Sequence, residues 1–433
     1  MKKVMKAVIG VFSIPLLFLS YLSGIFDSTG DVKWVVPVAR SFIERGDLNI
    51  DEFSDMLKTN DFTIVKRQDH TYTIFPYGTS IMAAPLLLII DALPVTIQKL
   101  QIGCGLRLNT SKGQERIIAS FFMSISAFLI FLIAYRYSGI AYAVFFMLLF
   151  AFCTPAWSTA SRALWQHGPS ILLLTLALFL IDRPNMAPVA ASLTAIFLCF
   201  SFVVRPTNVI PLLALSIYVI KVFRKIRWIY FSSCLTVLLG YFIFNKLQLD
   251  VLLPEYYLPT RIGHGGRFFE ALFGHLISPA RGLLVYCPYV VFTPLGLIFY
   301  TKNNEKRLLT MMIFVTILLH WLVISTFPHW WGGWCFGPRL FADMTPFLLF
   351  LLIPLTSKEY VKSNVLRRAM VSVLFVFAVI SFFIHYQGSM QWGPTEWNAR
   401  PVNIDEKPSR LWDWHDVQFL RGVSGMPWGI CQE

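Results

Sequence analysis

Eleven apolar runs divide the chain, and they restrict its possible folds more than any other feature. They fall at residues 7–26, 117–135, 140–155, 166–181, 187–204, 207–221, 228–244, 283–300, 308–327, 340–356 and 368–386. Inside a bilayer every backbone N–H and C=O must find its partner within the segment, so such runs read as spanning α-helices. The 433 residues are 56% hydrophobic and 14% charged, more apolar than a soluble core of this size requires. The expected fold is an all-α polytopic membrane protein with about eleven transmembrane helices. The first run follows Lys2, Lys3 and Lys6 and no Ala-x-Ala-like site closes it. It is therefore expected to be an uncleaved span rather than a secretory signal peptide.

The net charge of +13 does not point to nucleic acid, because no basic stripe with interleaved aromatics lies on a soluble domain. Four basic clusters explain much of it: Lys2, Lys3 and Lys6; Lys221, Arg224, Lys225 and Arg227; Lys302, Lys306 and Arg307; and Lys358, Lys362, Arg367 and Arg368. The positive-inside rule places all four in the cytoplasm. Residues 78–99 must then stay on the outer side, since a full crossing there would turn the later clusters outward. Their continuous apolar core, 81–90, contains Pro85 and stops at Asp91, which suits a re-entrant or interfacial segment. The expected protein has its N-terminus in the cytoplasm and its C-terminus outside. Residues 1–386 form the membrane domain, with outer loops at 27–116 and 246–282, and 387–433 form an outer tail.

The first outer loop carries local signals. Pro37 fits the first turn of a helix and Gly46 its C′ position. Val35, Val38, Ala39 and Phe42 then form an apolar stripe on a short helix at the membrane surface. The stretch FTIVKRQDHTYTIF alternates in part around a polar middle and fits a small hairpin.

The seven cysteines show no C-x-x-C pair and no zinc spacing. Cys335 and Cys431 are candidates for pairing in an oxidising compartment. DWHDV, residues 413–417, has no second cluster at ligand spacing, and GHGG, residues 263–266, lacks the setting and lysine of a phosphate loop. No cofactor and no metal site is expected, although a divalent ion is not ruled out by sequence.

The middles of the spans are nearly free of ionisable residues, which counts against an ion-driven carrier. Their outer ends differ. Asp27 and Asp31 follow the first span. Arg162 in STASRALWQHGPS, Arg205 in SFVVRPTN, Arg281 in SPARGLL and Arg339 in FGPRL each lie beside an outer boundary. Interfacial snorkelling accounts for single arginines. Four suggest anions held at that surface, and lipid phosphate matches the planar guanidinium fork. Transfer of a sugar from a lipid phosphate needs this mixture, with a carboxylate to take the acceptor's proton and cations to steady the leaving phosphate. His167 in WQHGPS faces the same side. Trp330, Trp331 and Trp334 in HWWGGW either line a sugar site or belong to packing and an interfacial belt.

The segments GDVKWVVPVARSFIERGDLNIDEF, FPYGTSIMAAPL, TPAWSTASRALWQHGPS, VVRPTN and WWGGWCFGPRLFADMTPF together resemble the GT-C superfamily of integral-membrane glycosyltransferases. Within it, the chain is nearest to the lipid-carrier-dependent group of protein mannosyltransferases and the aminoarabinose transferase of lipid A. The resemblance implies a donor sugar on a polyprenyl phosphate and a glycan, lipid or protein acceptor hydroxyl. It also implies an acidic residue of the first outer loop as base. Asp31 matches that residue best and Asp27 comes next. The sequence departs from the family at Val32, where many members carry a second acid. Arg162, His167, Arg205, Arg281, Arg339, Trp331 and Trp334 are the expected substrate contacts. Two rival readings stand beside an inverting transferase: a lipid-linked sugar flippase, and a non-catalytic relative that only binds a glycolipid.

Overall fold

The computed structural model describes residues 2–56, 61–67, 69–102, 105–258, 263 and 266–424, with side chains described from residue 8 onward. Helices α1 (Lys2–Leu22), α2 (Val35–Arg45), α3 (Gly78–Asp91) and the single turn α4 (Val95–Gln98) come first. They are followed by α5 (Ser111–Ala134), α6 (Ile140–Phe152), α7 (His167–Ile181), α8 (Pro188–Val204), α9 (Val209–Val222), α10 (Arg227–Leu249) and α11 (Phe268–Ile277). The remainder are α12 (Leu283–Tyr286), α13 (Thr293–Thr301), α14 (Asn304–Ile324), α15 (Thr345–Leu352), α16 (Asn364–Met390), α17 (Gly393–Glu396) and α18 (Arg421–Ser424). Each of the eleven apolar runs falls on a helix or on a train of short helical pieces. Five helical segments are long and apolar enough to cross a membrane: Ser111–Ala134, Arg227–Leu249, Asn304–Ile324, Arg339–Thr356 and Asn364–Met390. The other apolar helices are shorter.

Ser111–Ala134 and Arg339–Thr356 are mostly buried, whereas α10, α14 and α16 lie at the periphery. The peripheral helices present large apolar side chains outward, among them Phe231, Leu235 and Leu239 on α10 and Phe375, Val379 and Phe383 on α16. Such faces suit acyl chains rather than water.

Two trains of short helices break where prolines interrupt otherwise continuous apolar sequence. Residues 283–301 divide into α12, a 3-10 turn Pro288–Phe292 and α13. Residues 339–356 divide into a 3-10 turn Arg339–Met344, α15 and a second turn Ile353–Thr356. Proline lacks the N–H that an inner helical turn needs and crowds the preceding carbonyl.

In the first loop, α2 ends on Gly46, whose φ of +75° gives the left-handed cap that glycine adopts without penalty. The helix is not laid on a surface by one stripe alone. Val35, Val36, Pro37, Val38, Ala39 and Ser41 are all buried, because α3 packs along it. Strands β1 (Ile64–Arg67) and β2 (His70–Thr73) form the hairpin in antiparallel register, Ile64 opposite Thr73 and Arg67 opposite His70. A second minimal pair joins β3 (Gln101–Ile102) to β4 (Leu106–Arg107). The first hairpin docks through an apolar cluster that includes Trp34, Val38, Tyr72, Val203 and Tyr241.

The bundle has two polar ends on either side of its largest buried apolar cluster. At one end the buried Asp182 carboxylate accepts from Lys306 at 2.6 Å, Arg136 at 3.1 Å and the Tyr137 hydroxyl. Asn303 there donates to Glu359 at 3.2 Å, joining the loops that carry two basic clusters. The opposite end holds the candidate site.

Candidate active site

Asp31 lies on the turn between α1 and α2. Val32 and Trp34 are buried, and the bonds Val32 N to Thr29 O and Val35 N to Val32 O, both 3.0 Å, close the turn. Trp34 Nε1 donates to Thr63 Oγ1 at 2.7 Å, and Lys33 donates to Asp61 at 2.6 Å. The hairpin segment therefore holds this turn from outside. With its neighbours anchored on both sides, Asp31 points its half-exposed carboxylate at Arg339, whose Nη2 donates to it.

Arg339 begins the turn that follows Pro338. Its guanidinium lies on the Trp165 ring at 3.9 Å, a stack that holds a planar cation in one orientation. Nε donates to His167 Nε2 at 3.3 Å and Nη1 to the Gly332 carbonyl at 3.3 Å. His167 is the first residue of α7 and is fully buried. Its Nδ1 lies 3.1 Å from Asp343 Oδ2. Arg205 completes the group. Pro206 prevents the helix from continuing through it, and Arg205 is extended at the end of α8. Its Nε lies 2.9 Å from Asp343 Oδ2 and 3.0 Å from Thr207 Oγ1, and its Nη1 lies 3.0 Å from His167 Nε2.

The network assigns the histidine tautomer. Arginine only donates and a carboxylate only accepts, so Nε2 accepting from Arg339 and Nδ1–H donating to Asp343 satisfy those two contacts, while Arg205 Nη1 stands against the ring at 3.1 Å from Nδ1 and 3.0 Å from Nε2. The result is a chain of alternating charge, Asp31, Arg339, neutral His167, Asp343 and Arg205. Four elements distant in sequence supply it. Sequence reasoning named Asp31, His167, Arg205 and Arg339, and the structure brings these four together. It missed Asp343, which is fully buried and sits four residues after Arg339. An acid just inside the apolar run 340–356 was the available signal.

The other expected residues are placed differently. Asp27 accepts from Thr395 Oγ1 at 3.4 Å. Burial pushes its carboxyl above the ordinary value of 3.8, while Arg162, Thr395 and Arg339 pull it down less strongly. Arg162 is buried and donates to the Ser389 carbonyl and, at 3.3 Å, to the Ser389 hydroxyl. Arg281 donates to the carbonyls of Trp331, Ala280 and Gly333 and to the side chains of Gln418 and Asn398. It straps the chain beyond residue 390 to the bundle. Trp331 is buried and donates to Asp405 at 2.8 Å, while Trp334, 40% exposed, donates to Asn403 at 3.0 Å. Trp330 packs with His275 and Trp412. Cys335 is a free thiol, and Cys431 lies outside the described residues. Among the described residues, no three His, Cys, Asp or Glu side chains are grouped to hold a metal.

No family model and no curated protein matches the chain. Among solved structures it is similar to ArnT from Cupriavidus metallidurans bound to undecaprenyl phosphate, at 12% identity over 91% of this chain and 69% of that one, with a TM-score of 0.49. It is also similar to ArnT from the same organism in the apo state, at 13% identity over 90% of this chain and 72% of that one, again with a TM-score of 0.49. The chemistry assigned to the site rests on this chain's own geometry.

Proposed function

We propose that the chain is a membrane glycosyltransferase that moves a sugar from a polyprenyl-phosphate donor to an acceptor hydroxyl at the non-cytoplasmic rim of the bilayer. The observation that carries this reading is the contact between Asp31 and Arg339. It puts a half-exposed carboxylate beside a guanidinium already oriented by Trp165, His167 and Gly332. In the reaction the acceptor oxygen attacks the anomeric carbon, and its proton passes to Asp31. The bond from that carbon to the phosphate oxygen breaks with its electron pair, and the charge left on the phosphate meets Arg339 and Arg205. Attack opposite the leaving phosphate inverts the anomeric centre. A positioned base contributes about 10²–10⁴-fold and fixed cations at the leaving group a similar factor.

The largest buried apolar cluster lies between the two polar ends, whereas a lipid-linked sugar flippase needs a polar path through the bundle. The polar end holding Asp31 lies opposite the basic loops, which supports an integral protein of the cell's inner membrane with its N-terminus in the cytoplasm and its tail outside. Arg162 and Arg281 bond backbone carbonyls and the tail, so the phosphate role is confined to Arg205 and Arg339.

The test is transfer by the reconstituted protein from a polyprenyl-phosphate sugar. Asp31→Asn is expected to lower turnover by about 10²-fold or more, with an unchanged melting temperature. Full turnover in that variant removes Asp31 from the base role.

A further inference from the structure

The bonding of Arg339 restricts how a phosphate can reach it. Its Nε is fixed on His167 and its Nη1 on the Gly332 carbonyl, and one face is covered by Trp165. His167 and Trp165 are buried at the start of α7, and the Gly332 partner is backbone. Asp31, on Nη2, is the exchangeable partner: its side chain keeps 32% exposure and sits on a connecting turn. Charge points the same way. Asp31 and Asp343 balance Arg205 and Arg339, with His167 neutral, so the group sums to zero. A phosphate ester adds at least one negative charge. Two anions on one edge of a partly buried guanidinium repel each other.

We propose that Asp31 and the donor's phosphate compete for the Nη2 edge of Arg339, so that the donor binds first and its arrival frees the carboxylate to act on the acceptor. This rests on the phosphate role proposed above for Arg339. While the pair stands, the Asp31 carboxylate is turned onto Arg339 and its contacting oxygen is occupied, so it is not placed on an acceptor hydroxyl until the donor arrives. The Asp31 carboxylate released from Arg339 remains beside the leaving group, where the acceptor hydroxyl must arrive. The order of binding is thus built into one ion pair.

The competition predicts an inactive variant that binds the phosphate better. Full-length protein in detergent is titrated with farnesyl phosphate, a short polyprenyl phosphate, and in parallel with inorganic phosphate to separate the headgroup from the chain. Asp31→Asn keeps the shape of the side chain and removes its charge. It is expected to bind farnesyl phosphate about threefold to tenfold tighter than the native protein, and Asp31→Ser, a second route to the same charge loss, is expected to do likewise. Asp27→Asn, tested at alkaline pH, removes a carboxylate that acts on Arg339 only through space and is expected to tighten binding less. Equal tightening by Asp27→Asn, or none by either Asp31 variant, overturns the competition while leaving the phosphate role of Arg339 standing. No binding by the native protein, or binding undiminished in Arg339→Gln, overturns that role and the competition with it.

Discussion

Burial and charge pull Asp27 in opposite directions, and burial prevails, so its carboxyl titrates above the ordinary 3.8. The folded protein therefore holds this proton more tightly than the unfolded chain does. The contribution is fully present below 3.8, falls as pH rises toward the raised value, and is lost above it. Asp27→Asn is expected to flatten the dependence of melting temperature on pH across that window; an unchanged slope would show that Asp27 titrates normally. Asp343 makes a different case. Its Oδ2 meets both His167 and Arg205, so removing its charge leaves a buried guanidinium without its counter-ion. Asp343→Asn is expected to cost about 3 kcal/mol of stability, read by denaturant or thermal unfolding, and to weaken polyprenyl-phosphate binding as Arg205 loses its anchor. The residues at the ends of the apolar runs were legible because a charged side chain beside an apolar run has few neutral explanations. Asp343 was not, since hydropathy averages a single acid into the run around it and its two partners come from α7 and α8.

At the scale of the element, composition and punctuation located the helices well. Pro37 and Gly46 bounded α2, and the partial alternation around residue 68 marked β1 and β2. Two features were hidden. The runs 283–300 and 340–356 read as single spans, but Pro288, Pro294, Pro346 and Pro354 divide them into short pieces, which a hydropathy window does not register. The burial of α2 on several sides was also invisible, because its partner α3 is distant in sequence. Close helix contacts carry a sharper expectation. A Cβ on Gly296 would overlap the Leu351 carbonyl oxygen, where α13 crosses α15. Backbone cannot yield as a flexible side chain does, so Gly296→Ala is expected to destabilise the protein by about 2–3 kcal/mol or more. Its melting temperature in detergent would fall accordingly, and an unaltered transition would mean that the crossing is looser than this contact implies.

Across the whole molecule, the two polar ends perform different work. Asp182, Arg136, Tyr137 and Lys306 fasten one end into a buried knot, while Arg281 ties the tail to the other beside the site. Which end faces the cytoplasm decides the chemistry. A site outside the cytoplasm has no soluble nucleotide-sugar supply and needs a donor carried by lipid; a cytoplasmic site does not. The test places single added cysteines at exposed positions of the two ends, His415→Cys in the tail and Lys358→Cys in the opposite loop, on a background in which Cys104, the half-buried Cys234 and Cys431 are serine. Cys153, Cys199, Cys287 and Cys335 are largely buried and react slowly with a bulky reagent. A membrane-impermeant maleimide is expected to label residue 415 in intact cells and residue 358 only after lysis. The reverse pattern would put Asp31 and Arg339 on the cytoplasmic face and remove the physical reason for a polyprenyl-phosphate donor. The same side for both would mean that the bundle does not cross the bilayer between them.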